Sequence, residues 1–496
     1  MRALEQPGRL PALLGERALG IPAPALRLEP AAAELAAGFD RIRAELEIPD
    51  AFPPDALAEA DAAAARPLAG DRADRRDLPL LTIDPPGSRD LDQALAIAAT
   101  PEGHRVSYAI ADVAALVEPG GALDREARAR GVTVYLPDRR SPLHPEALGE
   151  GAGSLLPGAD RGALLWTIDL DRRGEPTAVA VARALVRSRR ALGYPEAQAE
   201  IGGGGGEETL RLLREVGELR LAREADRGGV SLTVPVQDVE PAGDGRFRLR
   251  YEAPLPVEDW NAQISLLTGM AAARIMIDGG IGLFRVLDTP EQRDLDALRR
   301  SALALGVGWP EGARYGDVVR ALDAGRPADA AFAVRAGRLF HGAGYAVWRR
   351  GDGEPPVHGA IAAPYAHVTA PLRRVADRVA NEIVLALAAG AEPPAWALQA
   401  LEEMPERMAE ATGRERAAER AAIDYLEAVL LAPLVGEAFD GVVTDVRDER
   451  ATVQIADPAV VAPLDGDGAE PGTRVRVRLS VADPAQRRVR FELANG

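Results

Sequence analysis

Three carboxylates pose the first chemical question. The segment Thr82-Ile83-Asp84-Pro85-Pro86-Gly87-Ser88-Arg89-Asp90-Leu91-Asp92-Gln93 reads as a short apolar strand, a Pro-Gly turn and an acidic run with D-x5-D-x-D spacing. In extended backbone alternate residues share a face, so Asp90 and Asp92 point the same way, and the turn can fold Asp84 back beside them. Like charges this close repel unless a cation sits among them. An all-oxygen donor set with no His or Cys nearby suits a hard ion such as magnesium. Such a site serves phosphoryl chemistry, in which one metal activates water and another supports the leaving oxygen. Spacing alone leaves a plainer reading open, with Asp84 starting an Asx turn and the other two aspartates as solvated surface charges.

Composition removes many other chemistries. The 496 residues include no cysteine and no lysine, so all 59 basic residues are arginine. Disulfides, thiolate nucleophiles and sulfur-ligated zinc are excluded, as are the Walker, kinase and Schiff-base lysines. Phosphate must then be held by arginine or by backbone N–H groups. Five histidines, His104, His144, His341, His358 and His367, are scattered without metal-ligand spacing. The net charge of −17 opposes a surface coated for nucleic acid but allows a local basic channel. Met1-Arg2-Ala3-Leu4-Glu5-Gln6-Pro7 lacks the apolar core of a signal peptide, and the apolar stretch Ile264 to Phe284 is broken by Arg274 and Asp278. The expectation is a cytoplasmic protein without a membrane partner.

The elements that must position the carboxylates follow from periodicity. Residues 1–70 suggest a short helical N-terminal appendage, with Leu35, Phe39, Ile42 and Leu46 spaced three to four apart. Leu78 to Ile83 has the form of a buried strand opening a second domain, 71–432. Further strands are expected at Val106 to Val113, Val132 to Leu136 and Leu164 to Leu170, then a helix over Glu207 to Arg227. Gly202 to Gly206 reads as a flexible loop. Long amphipathic helices are predicted at Val257 to Ile277, Asp377 to Ala389 and Arg407 to Leu431. After Pro433 short alternating segments at Gly441 to Val446, Ala451 to Ile455, Arg474 to Val481 and Arg488 to Leu493 suit a small OB-like barrel over 433–496. The fold class is therefore α+β, a large mixed α/β domain followed by a small β-barrel.

The acidic run resembles the signature of the ribonuclease II and ribonuclease R family, the RNB domain, whose pattern is T-I-D-x5-D-x-D-D. Collinear matches continue through Ile110-Ala111-Asp112-Val113, Val134-Tyr135-Leu136-Pro137-Asp138, Ser154-Leu155-Leu156-Pro157-Gly158, Arg227-Gly228-Gly229, Phe284-Arg285-Val286 and Tyr365-Ala366-His367-Val368-Thr369-Ala370-Pro371-Leu372-Arg373-Arg374. The resemblance covers about residues 78 to 432. It implies a magnesium-dependent 3′→5′ exoribonuclease, with manganese as an alternative ion, hydrolysing single-stranded RNA to nucleoside 5′-monophosphates as a monomer.

By resemblance Asp92 is the central catalytic aspartate and Asp84 and Asp90 are companion metal ligands. Gln93 stands where a fourth aspartate is expected, offering a neutral carbonyl oxygen and one charge fewer. Arg373 would clamp the scissile phosphate, the alternative being a helix-surface arginine paired to Asp377. Glu419 matches an acidic residue near the family's active site, although a solvated helix face would explain it as well. Tyr135 matches an aromatic that stacks on the base at the RNA 3′ end, with a core tyrosine as the alternative. Arg187 and Arg285 are candidate backbone contacts, Asp112 is read as an N-cap, and His358 and His367 as packed side chains. Departures from the family are Ala370 for Ser, Leu287 for His and Gly269 for Asn. The first 70 residues show no counterpart of the family's two cold-shock barrels. Two rival functions remain: a non-catalytic RNA-binding protein that kept the fold, and a metal-dependent phosphoesterase on short nucleotides.

Overall fold

Alternation of small and β-branched residues builds the central sheet. In chain order its strands are β1 (Ala73–Asp74), β2 (Leu81–Asp84), β3 (Gln93–Thr100), β4 (Gly103–Ala111), β5 (Asp160–Asp171), β6 (Pro176–Arg187) and β7 (Arg190–Gly193), arranged β7-β2-β3-β4-β5-β6-β1. The inner pairs are antiparallel, whereas β7 on β2 and β1 on β6 are parallel. Tyr108 of β4 faces Trp166 of β5 in register, and both are fully buried. A cross-strand aromatic pair of this kind fixes register, because a slip of one residue would turn the ring of the slipped strand to the opposite face. The computed structural model describes Leu10–Pro11 and residues 32–494, apart from 69, 205, 232–235, 244–245, 253, 324–325, 341, 448–449, 456–457 and 467. His341, Gly205 and most of the first 31 residues therefore lie outside the described residues.

The helices arise where the expected apolar stripes are. Helix α1 (Ala32–Glu45) buries Leu35, Phe39 and Ile42, and α2 is Pro54–Ala65. Helix α3 (Pro256–Gly279) starts with Pro at its first position and lies against the sheet. Its Asn261 donates to the Ile83 carbonyl at 3.3 Å, and its Ser265 hydroxyl sits 2.9 Å from that of Tyr108. Helix α4 (Val375–Ala388) follows the Thr-Ala-Pro turn, and α5 (Ala395–Leu431) runs for 37 residues. The sequence reading starts α5 at Arg407, two residues after Pro405, which lacks a backbone donor. The helix nevertheless continues through Pro405, since Leu401, Met404, Met408 and Ala411 keep one buried stripe across it.

Helix α1 shares the main core, and α2 packs through Ala60 in a smaller cluster. Phe39 meets Tyr425 of α5 edge to face at 5.6 Å between centroids, and Arg43 donates to Asp138 at 2.6 Å. The first described helices are thus packed into the body. Strands β8 (Ala438–Arg447), β9 (Arg450–Ile455), β10 (Val460–Asp465), β11 (Arg474–Asp483) and β12 (Arg488–Leu493) close a small barrel in the order β8-β9-β10-β12-β11. β10 is the strand that periodicity did not single out. Phe491 is fully buried in the barrel against Phe439, so it is taken up by packing. Among the described residues no helix is long and apolar enough to cross a membrane.

Asp112 does not cap a helix. Its side chain makes no cap hydrogen bond and instead takes Arg72 at 2.7 Å and Arg183 at 2.9 Å. Removing this buried carboxylate would leave the buried Arg72 without its partner at a cost of about 3–5 kcal/mol, whereas Arg183 would keep Glu382.

Candidate active site

The acidic run folds as a strand end, a turn and an extended return. Asp84 closes β2, where its backbone pairs with Gly193 of β7. Gly87 takes φ +83° in the Pro-Pro-Gly turn, a conformation that glycine adopts without strain. The return is pinned by Ser154 of the Ser-Leu-Leu-Pro-Gly segment, which accepts from Leu91 N–H at 2.9 Å and donates to the Arg89 carbonyl at 2.6 Å. Leu155 N–H adds a bond to the Leu91 carbonyl. Alternation then sends Leu91 into the apolar core and leaves Asp90 and Asp92 on the other side.

A second segment, distant in sequence, meets this one. Leu372 N–H donates to Asp92 at 2.7 Å, and Arg373 Nε lies 3.7 Å from the same carboxylate. Gln93 Nε2 donates to the Thr369 carbonyl at 2.6 Å. Asp377 grips the turn from its other side, accepting from Ala370 N–H at 2.8 Å and from Arg374 at 2.8 and 2.9 Å. Arg374 therefore takes the ion pair that the i+4 alternative assigned to Arg373, and Arg373 turns to Asp92. Backbone bonds from Thr133 to Arg373 and from Val375 to Gly131 tie this turn to the segment leading into Tyr135.

A short hairpin, Val134–Tyr135 paired with Arg140–Ser141, completes the cluster. Tyr135 donates its hydroxyl to Asp90 at 3.1 Å, and Arg140 reaches the other oxygen of Asp90 at 2.6 Å. Thus Asp84, Asp90, Asp92, Tyr135 and Arg373 are brought together, and Glu419 of α5 is placed beside Glu415. Arg187 is not among them, because it forms an exposed ion pair with Asp160. Arg285 is buried with its guanidinium 4.8 Å from the Tyr345 ring centroid, beside the turn rather than among the carboxylates. His367 is hydrogen-bonded to Tyr345 at 2.6 Å, and burial holds its pKa well below the usual value, as it does for His358, held at about 4.

The comparison with protein families decides what this arrangement belongs to. The RNB domain model matches residues 72–390, and the model of the RNase II-type exonuclease C-terminal S1 domain matches 437–494. The chain belongs to the RNB-domain family. Ribonuclease R of Aquifex aeolicus (strain VF5) is 26% identical over 498 residues, covering 92% of this chain and 70% of that protein. Exosome complex exonuclease RRP44 homolog A of Arabidopsis thaliana is 30% identical over 343 residues, 64% of this chain and 35% of that protein. The chain thus spans only part of the length of these relatives. The fold of Mycoplasma genitalium RNase R, solved in complex with ribose methylated single-stranded RNA, matches with a TM-score of 0.83 at 19% identity, over 93% of this chain and 78% of that one.

Within this RNB fold the carboxylates fit a divalent cation in donor chemistry. Asp92 is 3% exposed, and burial raises its pKa well above the usual range against the opposing pull of Arg373 and Leu372 N–H. Asp84 is pushed up to about 7 by burial, with Arg373 opposing and Asp90 adding to the rise. Among the described residues the Asp84 carboxylate makes no hydrogen bond. One buried and one half-buried carboxylate that share a single nearby arginine are an environment in which a hard cation is favourable. The same residues do not stand as a ready-made cage, because among the described residues no three acidic or histidine side chains are grouped for metal.

Gln93 is tied into the fold at both ends. Its amide N donates to Thr369, and its Oε1 accepts from Tyr108 at 2.9 Å. Gln93 therefore acts as a strut between β3 and the Arg373 turn. Two residues escaped sequence reasoning. Arg140 gave no signal because its partner Asp90 is fifty positions away. Glu415 lies one turn before Glu419, and burial, with Glu419 adding, pushes it up to about 7 beside Arg373 and Arg374. The i+4 spacing of two glutamates was its one visible trace.

Proposed function

We propose that the chain is an exoribonuclease that takes single-stranded RNA by its 3′ end and hydrolyses it to nucleoside 5′-monophosphates, as a monomer, with a divalent cation, magnesium or manganese. One observation carries this reading above the rest: Leu372 N–H binds Asp92 across 280 residues of sequence, which sets Arg373 against the catalytic carboxylate. The Tyr135 ring offers a face for the terminal base, a contact worth about 1–3 kcal/mol without sequence preference. Arg373 binds the scissile phosphate and stabilises the charge that grows on it. Leu372 N–H orients Asp92, while Asp377 and Gln93 hold the turn that carries both. A cation held by Asp84, Asp90 and Asp92 supplies activation of the attacking water and compensation of the leaving oxygen.

The test uses 5′-labelled single-stranded RNA with magnesium or manganese. A ladder shortening from the 3′ end is expected, and intact RNA in both metals would refute the proposal. A second reading, a catalytically weakened RNA-binding protein of the same fold, is favoured by the neutral Gln93 and by the engagement of Asp90. RNA binding without turnover, unchanged by Asp92→Asn, would select it.

A further inference from the structure

We infer that Arg140 is a resident counter-ion that competes with a divalent cation for Asp90, so that the chain itself sets the metal affinity of its acidic cluster. The inference rests on the metal site proposed above and concerns how that site is loaded.

Tyr135 and Arg140 face each other across the hairpin, and directly opposed residues of an antiparallel pair project to the same side. Together they close on one carboxylate, the hydroxyl on one oxygen and the guanidinium on the other. Asp84 and Asp92 have no comparable partner. Among the described residues the cation next to them is Arg373, at 3.7 Å from Asp92. Of the three aspartates, then, Asp90 is closely paired on both oxygens, whereas Asp84 and Asp92 share the more distant Arg373.

The guanidinium fork reaches further than Asp90. Its second nitrogen is bonded to Glu150, which also takes Arg89 at 3.0 Å. An arginine that bridges two carboxylates can give up one and stay paired with the other, so Asp90 can be exchanged without leaving a half-buried cation unpaired. With Gln93 uncharged and tied into its strut, Asp90 is the third anionic ligand available to a cation. Its pairing with Arg140 therefore weakens metal binding in the native chain.

The test measures Mn²⁺ binding to the full chain by calorimetry and electron paramagnetic resonance at fixed ionic strength. Arg140→Met removes the competing charge and is expected to tighten binding by about tenfold or more. Arg140→Lys keeps the charge but cannot span two carboxylates, so a gain of about threefold is expected, and this variant serves if the Met variant does not fold. In an Asp90→Asn background Arg140→Met should gain less than about twofold, because the contested ligand is gone. Equal or weaker Mn²⁺ binding by both Arg140 variants overturns the inference while leaving the metal site standing. A gain that persists without Asp90 overturns it in favour of a general field effect. Absence of Mn²⁺ binding to native and variant protein alike removes the metal site and the inference together.

Discussion

Gln93→Glu tests the strut with the smallest chemical change, a single NH2 exchanged for oxygen. In the native protein Thr369 O accepts from Gln93 Nε2 at 2.6 Å, and Tyr108 donates to Oε1 at 2.9 Å. An ionised glutamate keeps the second bond and loses the first, leaving an acceptor facing an acceptor. A buried carbonyl without its donor costs about 1–3 kcal/mol. The added charge stands in surroundings that already raise the pKa of Asp84 and Asp92, so a total of about 2–4 kcal/mol is expected at pH 8. The same surroundings raise the folded-state pKa of the new carboxyl above its unfolded value of about 4.3. Its protonated form carries an O–H that can replace the missing donor. Stability is therefore present at low pH and lost as pH rises through the folded pKa. Urea unfolding of both proteins at pH 5 and pH 8 reads this directly, with the difference small at pH 5 and largest at pH 8. A variant as stable as the native chain at pH 8, or equally destabilised at both pH values, would show that the amide does not hold the turn.

Three further outcomes are expected. Asp92→Asn and Arg373→Ala should each lower turnover on single-stranded RNA by about 10²–10³-fold with circular dichroism unchanged, the size typical of losing one preorganised electrostatic contact; near-native turnover in either would remove that residue from the proposed chemistry. Tyr135→Ala should weaken binding of RNA of any sequence by about 1–3 kcal/mol in a fluorescence anisotropy titration, and a loss confined to one terminal base would contradict a stacking role. Glu415 has its folded pKa raised to about 7 from 4.5, so it takes stability away as pH climbs between those values. Glu415→Gln should match the native chain below pH 4.5 and exceed it at pH 8 by about 1–2 kcal/mol after discounting for solvent screening. Thermal unfolding at the two pH values checks this, and a variant no more stable than the native chain at pH 8 would contradict the burial of that charge.

Much of the architecture was legible because it is written locally. Apolar spacing gave α3 and α4 to within a few residues, and the alternating segments after Pro433 marked four of the five barrel strands. β10 was missed because Val460-Val461-Ala462-Pro463 reads equally as a loop. The start of α5 was misplaced because Pro405 looks like a break until the buried stripe on either side of it is known to pack on one surface. Asp112 was assigned to a cap because a strand-to-helix junction is where aspartate commonly serves one. Its arginines come from positions 72 and 183, too remote for any local pattern to reveal.

The residue types alone removed thiol and lysine chemistry, and the spacing singled out three aspartates on one short segment as the candidate centre. What each aspartate touches was settled by folding. Asp84, Asp90 and Asp92 look equivalent in sequence, yet one lacks a hydrogen bond, one is held by Tyr135 and Arg140, and one is oriented by Leu372 N–H. Gln93 became a strut because Thr369 and Tyr108 engage both ends of its amide. The physical reason is range. Composition and spacing act over a few residues of chain, whereas charge pairing and hydrogen bonding act over a few ångströms of space, and folding alone brings positions 90, 140 and 373 within that distance.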